Sequence, residues 1–380
     1  MNVVSALGGW GQTLIWTIIP FLFVLTVVVF FHELGHFWVA RRNGVRVEVF
    51  SIGFGRELLG FNDRHGTRWK LCAIPLGGYV KFYGDADAAS TPDFETAAAM
   101  TAQQRSESFF HKSLGQRAAI VAAGPIANFI LAIVIFAGVF TLFGKPITSP
   151  RVETIVAGSA AEKAGFQPGD LVLSIGGRPI ESFSDMQRIV GSSAGDTLAI
   201  SVQRDGRQVD LTAIPTVFEF KDRFGGTHRI GRLGISRSNQ PGDTQMRRYD
   251  PLTATWMGMK ETWFVVERTF AYLGGVIMGT QSADQLGGPI RIAQVSGEAA
   301  QIGFVALMSL AALISVSIGL LNLFPIPMLD GGHLVFYAIE AVRGRPMSEK
   351  AQEMAFRFGL AVVLMLMIFA TWNDIRGLVG

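Results

Sequence analysis

The run Phe31-His32-Glu33-Leu34-Gly35-His36 lies inside an apolar stretch, and its spacing is that of a metal site. On a helix, His32 and His36 stand one turn apart on the same face and can grip one ion, while Glu33 lies beside them outside the coordination sphere. Zinc held in this way polarises a scissile carbonyl and lowers the pKa of water towards about 7, and a free carboxylate can move the proton. The plainer reading is two buried histidines and a stray acid. It is weak, because a charged group at the centre of a bilayer costs roughly 2.5 to 3.5 kcal/mol on insertion scales and is functional by default.

A catalytic zinc usually takes a third protein ligand and keeps one position open. The chain has a single cysteine, Cys72, so a disulfide or a multi-cysteine site is excluded and any metal must be held mainly by His, Asp or Glu. The segment Asn322-Leu323-Phe324-Pro325-Ile326-Pro327-Met328-Leu329-Asp330-Gly331-Gly332 offers Asp330. Asp330 could instead cap a helix beginning at Gly331. His333 is a rival ligand, ranked second because a third histidine would leave Asp330 unexplained.

The elements that must position these groups follow from composition. The 380 residues are 49% hydrophobic and only 17% charged, against about 25% charged for soluble domains. A disordered chain is excluded and a soluble globule disfavoured; the length allows two to three domains. The net charge of +3 is diffuse and forms no basic cluster, so no nucleic-acid partner is expected. The apolar excess falls in four stretches, near 14 to 40, 117 to 143, 303 to 325 and 356 to 372, each close to the roughly 20 residues that span a bilayer. The first has no Lys or Arg before it and no small-residue cleavage site after it, so it reads as a retained span rather than a secretory signal; Pro20 is tolerable there.

Arg41, Arg42 and Arg46 follow the first stretch, Lys112 and Arg117 precede the second, and Arg343, Arg345 and Lys350 lie between the third and fourth. Short cytoplasmic flanks carry the basic excess, which predicts an N-terminus outside the cytoplasm, the loops 41 to 116 and 326 to 350 inside, and 144 to 302 outside. His36 then lies near the cytoplasmic end of span one, and span three delivers Asp330 to the same side.

Within the outer segment, residues 151 to 236 read as a compact β-rich domain. Leu198, Ile200 and Val202 alternate, as do Val209 and Leu211, around the hairpin signal Asp205-Gly206. Ser159 to Gly165 has helical composition, and Gln167-Pro168-Gly169-Asp170 is a turn into a strand at Leu171 to Ile175. Residues 252 to 278 alternate aromatic and charged positions, including Trp256, Lys260, Trp263 and Phe270, which suits an interfacial helix better than a fifth span. Residues 69 to 83 read as two short strands around Pro75-Leu76-Gly77-Gly78, and 85 to 104 as a flexible surface segment. The resulting division is 1–143 (spans one and two with the cytoplasmic loop), 151–236 (outer domain), 250–300 (interfacial helix region) and 301–380 (spans three and four).

These motifs, with Gly124-Pro125-Ile126-Ala127-Asn128 in span two, resemble the site-2 protease family of intramembrane zinc metalloproteases over nearly the whole chain. The resemblance implies a four-span α-helical membrane protein with an inserted PDZ domain and a membrane-associated β-hairpin, located in a bacterial inner membrane with its N-terminus and PDZ domain on the periplasmic side. It implies Zn2+ on His32, His36 and Asp330, Glu33 as catalytic base, and single-span regulatory membrane proteins, such as anti-sigma factors, as substrates. Asn128 and Asn322 are expected near the substrate backbone or the oxyanion, or else as glue between helices. Lys70 to Phe82 resembles the family's hairpin, whose edge could pair with an extended substrate, with Gly77 and Gly78 permitting close approach or simply forming a turn. Gly231-Arg232-Leu233-Gly234-Ile235 is similar to the glycine-rich loop of a circularly permuted PDZ domain, which could hold a peptide or protein C-terminus through Gly231, Leu233, Gly234 and Ile235. There is room for one such domain where the family's best-known member has two. The competing readings are a zinc protease with a glutamate as third ligand, and a non-enzymatic membrane scaffold that captures peptides.

Overall fold

The computed structural model describes residues 14–85, 100–221, 227–237, 244–279, 281, 283 and 286–379. Two compact units emerge: residues 1–138, 252–271 and 287–372 in one, and 139–251, 272–286 and 373–380 in the other.

A π-helical turn, Leu14–Ile18, leads into α1, Ile19–Arg42. Pro20 falls in the first turn of α1, where a missing N–H breaks no helical bond. Arg41 and Arg42 occupy the last turn, which is closed by the Asn43 amide donating to the carbonyls of Val39 and Ala40 and the Gly44 amide donating to that of Arg41. Two long strands follow, β1 (Val47–Asn62) and β2 (Arg68–Phe82). After α2 (Ala102–Glu107) comes α3, Leu114–Leu142, with Pro125 inside it. Of the segment read as flexible, 86–99 lies outside the described residues, while Ala102–Glu107 is helical because Thr101 and Gln104 form a reciprocal capping box.

β1 and β2 are antiparallel, but their register shows more than a hairpin. Residues Val49–Ile52 of β1 pair on one side with Arg68–Leu71 and on the other with Gly78–Lys81. The two halves of the 69–83 segment therefore do not pair with each other, as a turn at Pro75–Gly78 would require; β1 lies between them. Gly77, with φ +135°, sits in the crossover. Among the described residues no further strand pairs with 78–82, which are left as an edge on the side away from β1. Phe50 and Trp69 stack at 4.2 Å beneath Phe37 of α1, which anchors the sheet to the helix.

In the second unit, β3 (Lys145–Thr148) pairs with β12 (Thr244–Arg247), so the insert's two ends meet. Between them lie β4 (Thr154–Ile155), α4 (Ala160–Lys163), β5 (Leu171–Ile175), β6 (Arg178–Pro179), α5 (Phe183–Ser192), β7 (Leu198–Arg204), β8 (Arg207–Ala213), β9 (Thr216–Lys221), β10 (Thr227–Arg232) and β11 (Ile235–Ser236). The sheet order is β6-β5-β7-β8, with β9 paired to β10 and β4 to β11. Asp205 and Gly206 both take positive φ, 47° and 81°, the conformation a two-residue hairpin needs. Ser159 caps α4, and the Asp170 carboxylate closes the preceding turn on the Gln167 amide. Val152, Phe166, Val172, Ile175, Ile200 and Val202 fill the core.

The chain then forms α6 (Pro251–Ile277), α7 (Pro289–Ile302), α8 (Phe304–Asn322), α9 (Asp330–Arg343) and α10 (Glu349–Val379). The region 250–300 holds two helices, α6 over the 252–278 segment and α7 after it. Ala254, Gly258 and Thr262 make a buried stripe on α6, and a Cβ on Gly258 would fall 2.8 Å from the Ile133 carbonyl of α3. Leu252, Trp256, Met259, Trp263 and Phe270 form an exposed apolar stripe on the same helix. α7 packs on the entry to α1, where Gly297 leaves no room for a side chain beside the Trp16 carbonyl. By length and apolar composition four helical stretches can cross a membrane: Ile15–Arg42, Leu114–Leu142, Phe304–Asn322 and Glu349–Gly377. Span three ends three residues earlier than the apolar run suggests, because Pro325 and Pro327 cannot continue a helix. Span four starts seven residues earlier, since polar Glu349–Ala355 is helical too.

Candidate metal centre

α1 brings His32 and His36 onto one face with their Nε2 atoms 3.2 Å apart. Asp330, the first residue of α9, places Oδ2 3.2 Å from the Nε2 of His32 and 3.5 Å from that of His36. Zinc–nitrogen bonds of about 2.0 to 2.1 Å in tetrahedral geometry would separate ligand atoms by about 3.3 Å. Chemistry supports the same reading. The His36 Nδ1 lies 2.9 Å from the Ile120 carbonyl, a pure acceptor, so the hydrogen sits on Nδ1 and Nε2 keeps a lone pair aimed at the cluster. Asp330 Oδ2 is buried and has no hydrogen-bond partner. Lone pairs converging this closely need a cation between them, and the three residues fit one.

The approach of the helices depends on missing side chains. A Cβ on Gly124 of α3 would fall 2.2 Å from His36 Nε2 and 2.9 Å from His32 Cε1, and one on Gly35 2.3 Å from the Ala123 carbonyl. α1 and α3 thus touch through glycine at the level of the metal site. Asp330 does not cap α9: the N-cap is Leu329, with no side-chain capping bond. Gly331 and Gly332 follow because the Leu323–Leu329 loop folds over the start of α9; a Cβ at either would fall 2.3 to 2.4 Å from a loop carbonyl. Met328 turns the chain into Asp330 with φ +89°, a strained value for a side-chain-bearing residue. At the far end of α9, Glu340 accepts from Arg117 of α3 at 2.5 Å, tying the helix that carries Asp330 to the one that carries Gly124.

A cavity of about 210 Å³ opens beside the cluster, lined among others by Glu33, Tyr79, Val80, Asn322 and His333. Glu33 extends into it against β2, where Val80 lines the same wall. Gly78 lies against the same side chain: a Cβ there would fall 3.1 Å from Glu33 Cγ and 2.7 Å from the Ser51 carbonyl. Gly77 packs on the ring of Phe54 instead, outside the cavity. The edge strand 78–82 therefore forms one wall of the site. Asn322, the last residue of α8, lines another part. His333 also lines the cavity, but its ring packs on Phe356 at 5.4 Å and it is not in the converging set. Asn128 lies behind the metal site: it is fully buried, its amide is 3.3 Å from His32 Nδ1, and it does not line the cavity.

In the other unit, Gly231, next to last in β10, lies against the Val190 carbonyl, and Gly234 takes φ +81° beside Ser159. Leu233 is buried in the insert's core and Ile235 pairs with Ile155. Any ligand contact from this loop would come mainly from its backbone.

The sequence held Gly124 only as part of a motif, and Tyr79 and Val80 only within the Lys70–Phe82 segment, with no place for any of them at the metal site, and the Ile120 carbonyl was missed altogether. Only Gly124 carried a signal, as a small residue in the span that must approach the histidines.

A helix-borne histidine pair with a converging carboxylate and a free glutamate, set in apolar helices, defines a metal-dependent hydrolase of the membrane. Residues 20–366 match the family described as peptidase family M50, and the chain belongs to that family, the site-2 protease family. A Rhizobium meliloti protein whose name carries the words zinc metalloprotease is 50% identical over 365 residues, 96% of this chain and 98% of its own. A similarly named Agrobacterium fabrum protein is 50% identical over 380 residues, 100% of both chains. The metalloprotease MmpA of Caulobacter vibrioides is 43% identical over 381 residues, 94% of this chain and 95% of its own. Among solved structures, the PDZ domain of an SdrC-like protein from Listeria monocytogenes is 21% identical and covers 23% of this chain and 86% of that one, with a TM-score of 0.19. So low a score does not define the insert's fold. The protein is a zinc metalloprotease with several membrane-spanning helices.

Proposed function

We propose that the protein is an intramembrane endopeptidase that cuts a peptide bond in or near the transmembrane segment of another membrane protein, with His32, His36 and Asp330 holding zinc and Glu33 as general base. The convergence of the three ligand atoms beside Glu33, within helices apolar enough to span a bilayer, carries the reading. Bound zinc would polarise the scissile carbonyl and acidify water. Glu33 takes the proton from the attacking water and passes it to the leaving amide nitrogen. Asn322, facing the same cavity, is suited to hold the substrate backbone or the developing oxyanion.

A transmembrane helix hides its carbonyls in its own hydrogen bonds and must unwind before cleavage. The edge strand 78–82 offers an extended substrate a row of backbone groups along the cavity wall, with Gly78 allowing close approach. The basic flanks support a reading in which this sheet and the metal site lie near the cytoplasmic face of a bacterial inner membrane and the insert on the periplasmic side. The sheet at residues 47–82 and the aromatic stripe of α6 would both lie against the bilayer. The insert acts as a single PDZ domain, meeting a peptide or protein C-terminus through the loop at Gly231–Ile235 or limiting access by size. Single-span regulatory proteins of the anti-sigma type are the substrates expected.

The test is co-expression of the natural chain, Glu33→Gln and Asp330→Asn with a tagged single-span substrate. A shortened product only with the natural chain, zinc retained by Glu33→Gln and lost by Asp330→Asn, is the expected outcome. Equal cleavage by all three, or none by the zinc-loaded natural chain, would favour the peptide-capturing scaffold.

A further inference from the structure

The two histidines of the cluster are oriented by different partners. His36 is held by the Ile120 carbonyl, which can only accept, so its tautomer is settled. His32 meets the side-chain amide of Asn128, which can donate from one end and accept from the other. With Nδ2 towards Nδ1, the amide would serve a His32 whose hydrogen is on Nε2, the atom pointing at Asp330 and His36. A ring in that tautomer has no lone pair for a metal. In the other tautomer Nδ1 bears the hydrogen, and only the amide oxygen can receive it. The Nδ2 end then has no lone pair left to serve, and Oδ1 loses nothing by turning, because in its present place it is buried without a partner. Which end of an amide faces a neighbour is decided by such a network.

We propose that Asn128 is a positioning residue for the metal site: its side-chain oxygen accepts the Nδ1 hydrogen of His32 and holds the ring with its Nε2 lone pair facing His36 and Asp330. This rests on the ligand set proposed above, and it moves Asn128 from the substrate to the metal. The surroundings hold the amide in place. The Ser315 hydroxyl donates to the Asn128 backbone carbonyl at 2.8 Å, and Gly319 leaves room for it, since a Cβ there would fall 3.1 Å from Asn128 Cβ. Both are on α8, whose end leads into the Asp330 loop. One buried amide thus joins the helix bearing the histidines to the helix preceding the aspartate. Groups that orient a ligating histidine typically account for 10- to 100-fold in metal affinity.

The experiment measures zinc affinity of the full-length detergent-solubilised protein by competition with a chromophoric chelator, alongside the melting temperature of the zinc-free form. Asn128→Leu keeps the size and removes the acceptor; binding about 10- to 100-fold weaker is expected, with little change in the zinc-free melting temperature. Asn128→Asp restores an acceptor and should bind within about threefold of the natural chain, as a carboxylate in the same role would. If the leucine variant does not fold, Asn128→Ala takes its place with the same expectation. Binding by the leucine or alanine variant as tight as the natural chain's would overturn the proposal, as would an aspartate variant as weak as either. His36→Ala and Asp330→Asn are measured in parallel: if they keep zinc, the ligand set itself is wrong, whereas if they lose it while Asn128→Leu does not, only the role of Asn128 fails.

Discussion

The helical bundle and the inserted domain are built on opposite rules. In the bundle the contacts that matter are made where side chains are absent: Gly35 and Gly124 bring α1 to α3, and Gly319 brings α8 to Asn128. Many of its large apolar side chains, such as Val134, Phe358 and Ile368, point outward, although Val24, Val28 and Ile120 are buried between its elements. In the insert, Ile175, Phe183, Ile200 and Val202 point inward and pack on one another. Where the surroundings are hydrocarbon, burying a leucine gains little, and close backbone approach and hydrogen bonds hold helices together. Where the surroundings are water, burial of apolar surface is the main driving force. The polar groups follow the same division. His32, Glu33, His36 and Asn128 are inside the bundle, where each needs a purpose, whereas most charges of the insert are on its surface.

Substitutions that fill space and substitutions that empty it should therefore have opposite consequences in the two regions. The largest effect is expected at Gly124. A methyl group there would collide with both histidines, so Gly124→Ala should lose zinc by at least about 10-fold, on the scale of a disturbed ligand shell, and cleavage with it; metal analysis of purified protein reads this directly. In the insert the damaging change is removal. Ile200→Ala should destabilise that domain by about 2 to 5 kcal/mol, seen as faster hydrogen exchange in β5, β7 and β8, while zinc content stays unchanged. If Ile200→Ala also stripped the metal, the stability of the insert and the occupancy of the metal site would be coupled.

A smaller effect distinguishes the charges of the insert. Burial works against the ionisation of Asp170, but hydrogen bonds from Arg204 and from the Gln167 amide outweigh it and lower its pKa. A carboxylate whose folded pKa lies below its unfolded value of about 3.9 contributes stability in full above that value, and the contribution is lost as pH falls through the folded pKa. Asp170→Asn should remove this acid sensitivity and cost on the order of 1 to 3 kcal/mol at pH 7. Hydrogen exchange in β5 measured across pH 3 to 7 checks both points. An unchanged acid profile would mean that the Asp170–Arg204 pair does not stabilise the insert.

How far the chain could be read without its structure differs between the same two regions. The insert's Asp205-Gly206 turn, its strand at Leu171–Ile175 and the short helix after Ser159 were legible because alternation, capping and turn chemistry act over a few residues. The four spans were legible because length and apolarity suffice, and only their ends moved, where Pro325 stopped one helix and Glu349 began another. The segment 69–83, read as two short strands around a turn, was misread. Its two halves were visible, but β1, which separates them, pairs with both through contacts that no local pattern encodes.

The amino-acid sequence alone determined the chemistry of the centre. A histidine pair at helical spacing with an adjacent glutamate inside an apolar run has few other uses, and the basic flanks predicted that Asp330 comes to the same end of the bundle as the histidines. Tertiary structure decided how that chemistry is assembled. It separated Asp330 from His333, turned Asn128 towards His32 rather than the cavity, and gave Gly124 its importance. The physical reason is distance: these assignments depend on atoms 2 to 4 Å apart that belong to residues nearly a hundred or more positions apart, or on which face of a helix a neighbour happens to occupy, and neither is written in local spacing.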